Sequence, residues 1–447
     1  MWLRAAGGAT KSSASRRASV RVFARWNSTV TLGEISTSPR FPGATGSPLS
    51  TKMDFLVPKS LPPIATYRVM NAEGRVQDDA RAPPDVTDEQ VLEWYKNMLT
   101  VNILDTIMSE AQRQGRLSFY MVSAGEEGIM VGSAAALGPD DVITCQYRET
   151  GVFKQRGYTL KDFLSQLVHN KNDPGKGRNM PCHYSGRLKT GVHAVASTLG
   201  TQIPHATGAA YALKLADRET GNKSPRVAVA YFGDGAASEG DFHGALNLAA
   251  VRDCPVIFIC RNNGFAISTP TTEQYRGDGI ASRGIGYGIE TLRVDGTDIF
   301  AVYEATKEAR RRALENGGRP ILLEMMSYRI SHHSTSDDSF AYRTHDEVNP
   351  WKTRDNPIAR LKKWLENKGL WSDDMDKETR NQIRKDILTE LKAAEREKKP
   401  RLSSVFDDVY AEYSEEQEAQ RQELKRLMEK YPEEYDAEDY EGGLKAL

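Results

Sequence analysis

A chain of 447 residues has room for two or three domains, and its formal net charge of −1, with 39% hydrophobic and 27% charged residues, is that of a soluble globular protein. This balance leaves no basic footprint for nucleic acid, and no apolar run reaches the ~18 residues that a membrane span needs. Four cysteines (Cys145, Cys182, Cys254, Cys260) without a CxxC pair exclude a disulfide framework or a zinc site and fit a reducing compartment.

Residues 1–33 carry Arg4, Lys11, Arg16, Arg17, Arg21 and Arg25, several serines and no acid before Glu34. That is the composition of a mitochondrial transit peptide, so the expected destination is the mitochondrial matrix. Residues 34–86 form an arm or linker, extended over the Ser, Thr, Pro and Gly-rich stretch to residue 65. Thr87 and Gln90 then make a capping box for a helix that runs to about Gly115 through Val91, Trp94, Tyr95, Met98, Leu99 and Ile103.

A small-residue helix follows at Glu126–Leu137, a strand at Asp141–Gln146 and a helix at Leu160–Val168. Lys171–Lys189 reads as a loop ordered by a ligand or partner. A helix is expected at His205–Ala216. Strands are expected at Arg226–Phe232 and Pro255–Cys260, with a helix from Ala236 to Ala250 between them. A strand (Gly288–Val294), a basic helix (Ile299–Glu315) and a strand (Pro320–Ser327) come next. Residues 329–350 show no helix or strand pattern, which at that length marks either a functional or a disordered segment. Three charged amphipathic helices close the chain at Pro357–Glu366, Asp376–Glu397 and Ser414–Lys430.

Strands alternating with helices give an α/β fold: a doubly wound, mostly parallel sheet, with a helical N-terminal arm and a charged helical C-terminal region. The α/β domain spans 87–350 and includes the 329–350 loop; residues 351–447 form the helical C-terminal region.

The chemistry concentrates in Arg226–Asn263, a β-turn-α-β unit. Gly233 and Gly235 let the backbone turn tightly and approach an anion. Ala236 and Ala237, at the start of the next helix, offer N–H groups to phosphate. Asp234 is a hard oxygen ligand suited to Mg²⁺, and Asn263, one helix and one strand later, falls at the neighbouring strand end. The Rossmann pattern fails at Ser238, and the Walker pattern fails for want of its lysine.

GDG followed about thirty residues later by NN looks like the thiamine diphosphate motif. YFGDGAASEGD (231–241), CRNNGFAISTPTTEQYRGDGIASRG (260–284) and YRISHHSTSDDSFAYR (328–343) closely resemble the alpha subunits of the mitochondrial branched-chain 2-oxoacid dehydrogenases. The resemblance covers roughly residues 65–430.

It implies the thiamine diphosphate-binding fold, with thiamine diphosphate, Mg²⁺ and K⁺ as cofactors. Asp234, Asn263 and the Phe265 carbonyl would hold Mg²⁺. Gly233, Gly235, Ala236, Arg261, Tyr147, Arg148 and Arg329 would meet the diphosphate end. Ser197 and Leu199 would line the pyrimidine side. His333 would reach the diphosphate or the reacting centre, as the catalytic residue. Thr201 and Gln202 are what remains of the family's potassium loop, whose first serine is Ala196 here and whose proline is Thr198. Asp234 stands where the family usually has glutamate. Ser334 and Thr344 fall on the family's regulatory phosphorylation positions, which implies a kinase and a phosphatase as partners.

The implied activity is oxidative decarboxylation of branched-chain 2-oxoacids such as 3-methyl-2-oxobutanoate, with the acyl group passed to the lipoyl arm of an acyltransferase core. Forming the cofactor ylid needs a carboxylate against the pyrimidine ring, and only the diphosphate half of a site is present. The resemblance resolves this with a beta subunit in an α2β2 heterotetramer. A pyruvate dehydrogenase alpha subunit is the alternative within the class, and a non-catalytic nucleotide-binding module the alternative outside it.

Overall fold

Six parallel strands form one sheet, side by side in the order Thr66–Tyr67, Glu290–Asp295, Ile321–Met326, Val256–Asn262, Ala228–Gly233 and Val142–Thr144. The computed structural model describes residues 41, 43, 47–77, 84–186, 190–222 and 225–447. The transit-peptide expectation for 1–33 lies outside the described residues. Two units are separable, residues 1–60 and 61–447. Of the first, residues 47–60 are exposed and without regular structure apart from one 3₁₀ turn at Pro58–Ser60, so no α-helix lies in the described part of the arm.

In the second unit the elements are, in chain order, β1 (Thr66–Tyr67), α1 (Asp88–Arg113), α2 (Glu127–Ala135), β2 (Val142–Thr144), α3 (Thr150–Gln155), α4 (Leu160–Leu167), α5 (Gln202–Thr220), β3 (Ala228–Gly233), α6 (Gly240–Arg252) and β4 (Val256–Asn262). A two-residue antiparallel ribbon, β5 (Phe265–Ala266) and β6 (Thr269–Pro270), leads into α7 (Thr271–Gln274) and α8 (Ala281–Gly286). Then come β7 (Glu290–Asp295), α9 (Ile299–Ala313), β8 (Ile321–Met326), α10 (His345–Thr353), α11 (Pro357–Asn367), α12 (Asp373–Arg396) and α13 (Glu415–Lys430).

The doubly wound reading follows from side-chain alternation. Val227, Val229 and Tyr231 face a core shared with α1, α2, α9, α11 and α12, whereas Ala228, Ala230 and Phe232 face a second core shared with α5 and α6. Strands β3 and β4 are therefore buried on both faces, which is why they read as unbroken apolar runs. The small residues of α2 permit close packing: a Cβ on Gly132 would come within 2.9 Å of Ile299 Cγ1 on α9.

The capping box of α1 is present: Gln90 N–H donates to Thr87 Oγ1 at 3.3 Å and Thr87 N–H to Gln90 Oε1 at 2.9 Å. Other expectations shift. The helix expected from Ala236 is broken, because Ala236–Ser238 is a 3₁₀ turn, Glu239 is extended and α6 begins only at Gly240. Helix α5 starts at Gln202, three residues early, since Pro204 is tolerated in a first turn, and ends where Gly221 adopts φ 65°. The stretch 329–350 is more regular than expected. Thr344 caps α10 by accepting the Glu347 N–H at 3.2 Å.

The charged C-terminal helices are not merely a solvated surface. Ile358, Leu361, Trp364 and Leu365 of α11 and Ile387 and Leu391 of α12 belong to the main core. Only the last segment keeps a small cluster of its own, around Leu402, Phe406, Met428 and Leu447.

Candidate active site

The sheet brings the carboxyl ends of β2, β3, β4 and β8 side by side. Register pairs Gly233 with Arg261 and Asn262 with Met326, so Asp234, Asn263 and the Ser327–Arg329 segment emerge together. Parallel sheets bind ligands at this end. Asp234 is 1% exposed. Its Oδ1 accepts the Asn263 N–H at 3.4 Å, and its Oδ2 accepts Gln274 Nε2 at 2.7 Å. Burial raises its pKa by more than these bonds lower it, and no ion pair among the described residues neutralises it. Asn263 donates Nδ2 to Glu126 Oε1 at 2.9 Å and accepts the Phe265 N–H on Oδ1 at 3.2 Å.

Gly235 is required where it stands, because an added Cβ would lie 2.8 Å from the Ala266 Cβ. Ala236 is buried beneath it in the 3₁₀ turn. The Gly233 N–H donates to Gln146 Oε1 at 3.2 Å, tying the turn to the end of β2.

Below the turn lies a buried charge cluster that the sequence does not announce. Arg261 donates Nε to Glu149 Oε1 at 2.7 Å, approaches the same oxygen with Nη2 at 2.5 Å, and donates Nη1 to Glu126. Burial alone would lower the Arg261 pKa, but Glu149 and Glu126 overcome this and hold it above the usual range. Three of its five N–H donors are used in these contacts. Arg148 sits 3.9 Å from Glu126, donates Nη1 to the Val122 carbonyl and Nη2 to the His333 carbonyl at 2.8 Å.

The loop after β8 folds back over this cluster. Tyr147 Oη meets His333 Nε2 at 3.2 Å. Asp337 Oδ2 accepts both the His333 N–H and the Tyr342 hydroxyl at 2.7 Å. Arg329 donates Nη2 to the Ile267 carbonyl at 2.7 Å and to Tyr342 Oη at 2.5 Å, and its guanidinium lies 5.5 Å from the Phe265 ring centre. Its Nε and Nη1 are buried without a partner. Ser334 Oγ accepts the Ser336 N–H at 3.2 Å, one residue beyond His333.

Burial, then the charges of Arg148 and Arg329, push the His333 pKa down to about 3. The imidazole is therefore neutral wherever the protein is folded at moderate pH. In the unfolded chain it titrates near ~6.5. Between these values the unfolded state binds a proton that the folded state does not. Its contribution to stability is complete above ~6.5 and falls with pH by at most ~1.4 kcal/mol per unit down to about 3. His333→Gln is expected to flatten the stability profile by up to that slope in denaturant titrations at pH 4.5 to 7.

Of the residues named from sequence, Tyr147, Arg148, Gly233, Asp234, Gly235, Ala236, Arg261, Asn263, Phe265, Arg329 and His333 are gathered at these strand ends. Ser197 and Leu199 lie instead on the exposed approach to α5, Leu199 being 37% exposed, with no side-chain hydrogen bond to the cradle among the described residues. Thr201 and Gln202 open α5, where Gln202 Nε2 donates to the Tyr231 carbonyl at 3.0 Å. Thr344 is exposed at the cap of α10. The sequence reading missed Glu126, Glu149, Gln146, Gln274, Asp337 and Tyr342. For Glu126 there was a signal: acids at the mouth of an otherwise apolar helix must be paired inside the fold.

Among the described residues no three His, Cys, Asp or Glu side chains cluster as a metal site. The donor set here, one carboxylate, one carboxamide and backbone carbonyls, suits a hard cation that shares its shell with phosphate oxygens.

Sequence comparison gives the family of the chain. A family described as "Dehydrogenase E1 component" matches residues 95–403. The chain is 50% identical over 403 residues to the mitochondrial 2-oxoisovalerate dehydrogenase subunit alpha of Mus musculus, covering 90% of this chain and 89% of the relative. It is 49% identical over 398 residues to the protein of that name from Caenorhabditis elegans, covering 89% and 90%. With 2-oxoisovalerate dehydrogenase subunit alpha 1 of Arabidopsis thaliana it shares 46% over 395 residues, covering 88% and 82%. By a family match spanning more than two thirds of its length, and by relatives half identical along most of theirs, the chain belongs to the dehydrogenase E1 component family.

Proposed function

We propose that this chain is the alpha subunit of a branched-chain 2-oxoacid dehydrogenase, which decarboxylates 3-methyl-2-oxobutanoate and its relatives with thiamine diphosphate and Mg²⁺. One observation carries the reading. The ends of β3, β4 and β8 carry a buried carboxylate with no ion pair among the described residues (Asp234) and buried guanidinium nitrogens with no hydrogen-bond partner (Arg329 Nε and Nη1). The two are linked through Asn263, whose carbonyl accepts the Arg329 N–H at 3.2 Å. A magnesium diphosphate satisfies both at once.

Asp234, Asn263 and the Phe265 carbonyl would hold the metal, and Gly233, Gly235 and Ala236 would give the phosphates close access to backbone. Tyr147, Arg148, Arg261 and Arg329 would surround the anion, with Ser197 and Leu199 toward the pyrimidine. When bound, thiamine diphosphate supplies a carbanion-stabilising centre for loss of CO₂ from a 2-oxo acid. The protein's part is electrostatic and positional. Arg261 stays cationic between Glu126 and Glu149, and with Arg148 beside Glu126 two guanidiniums face two carboxylates, so the floor of the site is charge-balanced. Burial and the charges of Arg148 and Arg329 hold His333 neutral, and a bound diphosphate, by offsetting those two charges, would favour its protonated form as a donor to phosphate or to the reacting centre. For potassium, Thr201 Oγ1 and Gln202 Oε1 are the available side-chain oxygens.

Among the described residues the buried carboxylates of the cradle are each engaged at the diphosphate end, Glu126 and Glu149 by Arg261 and Asp234 by Asn263 and Gln274, so the acid for the pyrimidine would come from a beta subunit in an α2β2 assembly, and the acyl group would leave to a lipoyl arm. Ser334, next to His333, is a phosphorylation point for a kinase and phosphatase, since an added charge of about −2 would repel the diphosphate. The arginine-rich, acid-free residues 1–33 and the mitochondrial names of the relatives support a matrix location. The test is decarboxylation by the chain co-expressed with its beta subunit. 3-Methyl-2-oxobutanoate is expected to turn over far faster than pyruvate; the reverse preference would make the chain a pyruvate dehydrogenase alpha subunit.

A further inference from the structure

Asp105 lies on α1, is 1% exposed, and has no ion-pair partner among the described residues. Its two oxygens serve two different donors. Oδ1 accepts the Tyr120 hydroxyl at 2.8 Å, and Oδ2 accepts the Ser123 N–H at 2.6 Å. Both donors belong to the segment 120–126, which links α1 to α2. That segment is the platform on which the His333 loop rests. Tyr120 N–H donates to Thr335 Oγ1 at 3.2 Å, and Thr335 N–H returns a bond to the Tyr120 carbonyl at 3.1 Å. Ile330 N–H donates to the Ala124 carbonyl at 3.3 Å. Arg148 spans both sides, holding the Val122 and His333 carbonyls. Gly125 leaves no slack, since a Cβ there would fall 2.4 Å from the Tyr328 carbonyl oxygen.

An asparagine at 105 would have one acceptor oxygen for two donors, so this geometry asks for a carboxylate. Burial pushes the Asp105 carboxyl up to about 7, against the lowering effect of the Ser123 and Tyr120 donors. An unpaired buried acid is costly, and nothing in the packing of α1 alone calls for one.

We propose that Asp105 is a positioning residue for the catalytic loop: by fixing Tyr120 and Ser123 it sets the platform that holds Thr335 and, through it, His333 at the diphosphate end of the site. The role at the diphosphate rests on the function proposed above; the role in ordering the loop does not.

The experiment uses the full α/β complex at pH 8, where Asp105 is ionised, with Asp105→Asn and Tyr120→Phe compared with wild type. Amide exchange without cofactor is measured first. Faster exchange across 329–343, with α12 unchanged, is expected in both variants. Decarboxylation is then measured against thiamine diphosphate concentration. Because excess cofactor can restore the loop, the half-saturating concentration is expected to rise about tenfold in Asp105→Asn, with kcat at saturation within about twofold of wild type. A variant that melts earlier yet keeps wild-type loop exchange would assign Asp105 to stability alone and overturn the proposal. Since the exchange measurement needs no cofactor, it decides the matter even if the wild-type complex binds no thiamine diphosphate, a result that would instead count against the proposed function.

Discussion

Asp234→Ala is expected to abolish magnesium-dependent binding of thiamine diphosphate while leaving the fold intact. The side chain is buried at the end of β3 and its hydrogen bonds are to Asn263 and Gln274 rather than to any core element, so its removal costs little packing. What it removes is the carboxylate of the proposed Mg²⁺ set. Loss of outer partners alone costs metal sites about 10–100-fold in affinity, and loss of a charged ligand costs more. Calorimetric titration of the α/β complex with the cofactor, with Mg²⁺ present and then chelated, measures this directly. Asp234→Glu supplies the same charge on a longer arm and is expected to keep binding. If Asp234→Ala binds as wild type does, the residue is no metal ligand.

The second large effect concerns stability. Glu126→Ala strands Arg261 Nη1, leaves Asn263 Nδ2 without its acceptor and removes the carboxylate 3.9 Å from Arg148, all among buried side chains. Breaking one partner of a buried charge network costs about 3–5 kcal/mol, because the other charge stays buried and uncompensated. Chemical denaturation should show a loss of that size. Glu126→Gln, which keeps an acceptor for Asn263, should lose less. A loss below about 1 kcal/mol in the alanine variant would mean that the cluster relaxes by admitting water, and that it does not set the shape of the cradle.

Glu126 also shows where the sequence stopped being readable. The strands β3 and β4 announce themselves by apolar runs of β-branched residues, and their ends carry Gly-Asp-Gly and Asn-Asn at a spacing that one helix and one strand impose. Asp234 and Asn263 could therefore be placed together before any coordinates. Glu126, Glu149 and Arg148 come from two other connections, and their meeting with Arg261 depends on the order in which strands are laid side by side, which periodicity does not encode. Short elements were lost for a related reason. Helix α3 has six residues, too few to show a 3.6-residue repeat, and β1 has two. The break at Glu239 was missed although Ser238 and Gly240 flank it, because the alanine-rich stretch Ala236–Ala250 reads as helical when taken as a whole. In the C-terminal helices high charge density coexists with docking: a narrow stripe of Ile358, Leu361, Trp364 and Leu365 holds α11 in the main core, and Ile387 and Leu391 do the same for α12.

The central claim is that the ends of β3, β4 and β8 hold a magnesium diphosphate. The most direct measurement is calorimetric titration of the wild-type α/β complex with thiamine diphosphate, thiamine and ATP, each with and without Mg²⁺. Tight binding of thiamine diphosphate that requires Mg²⁺ and is lost with thiamine, which lacks the phosphates, is the expected result. Binding of thiamine equal to that of thiamine diphosphate, or a preference for ATP, would contradict it.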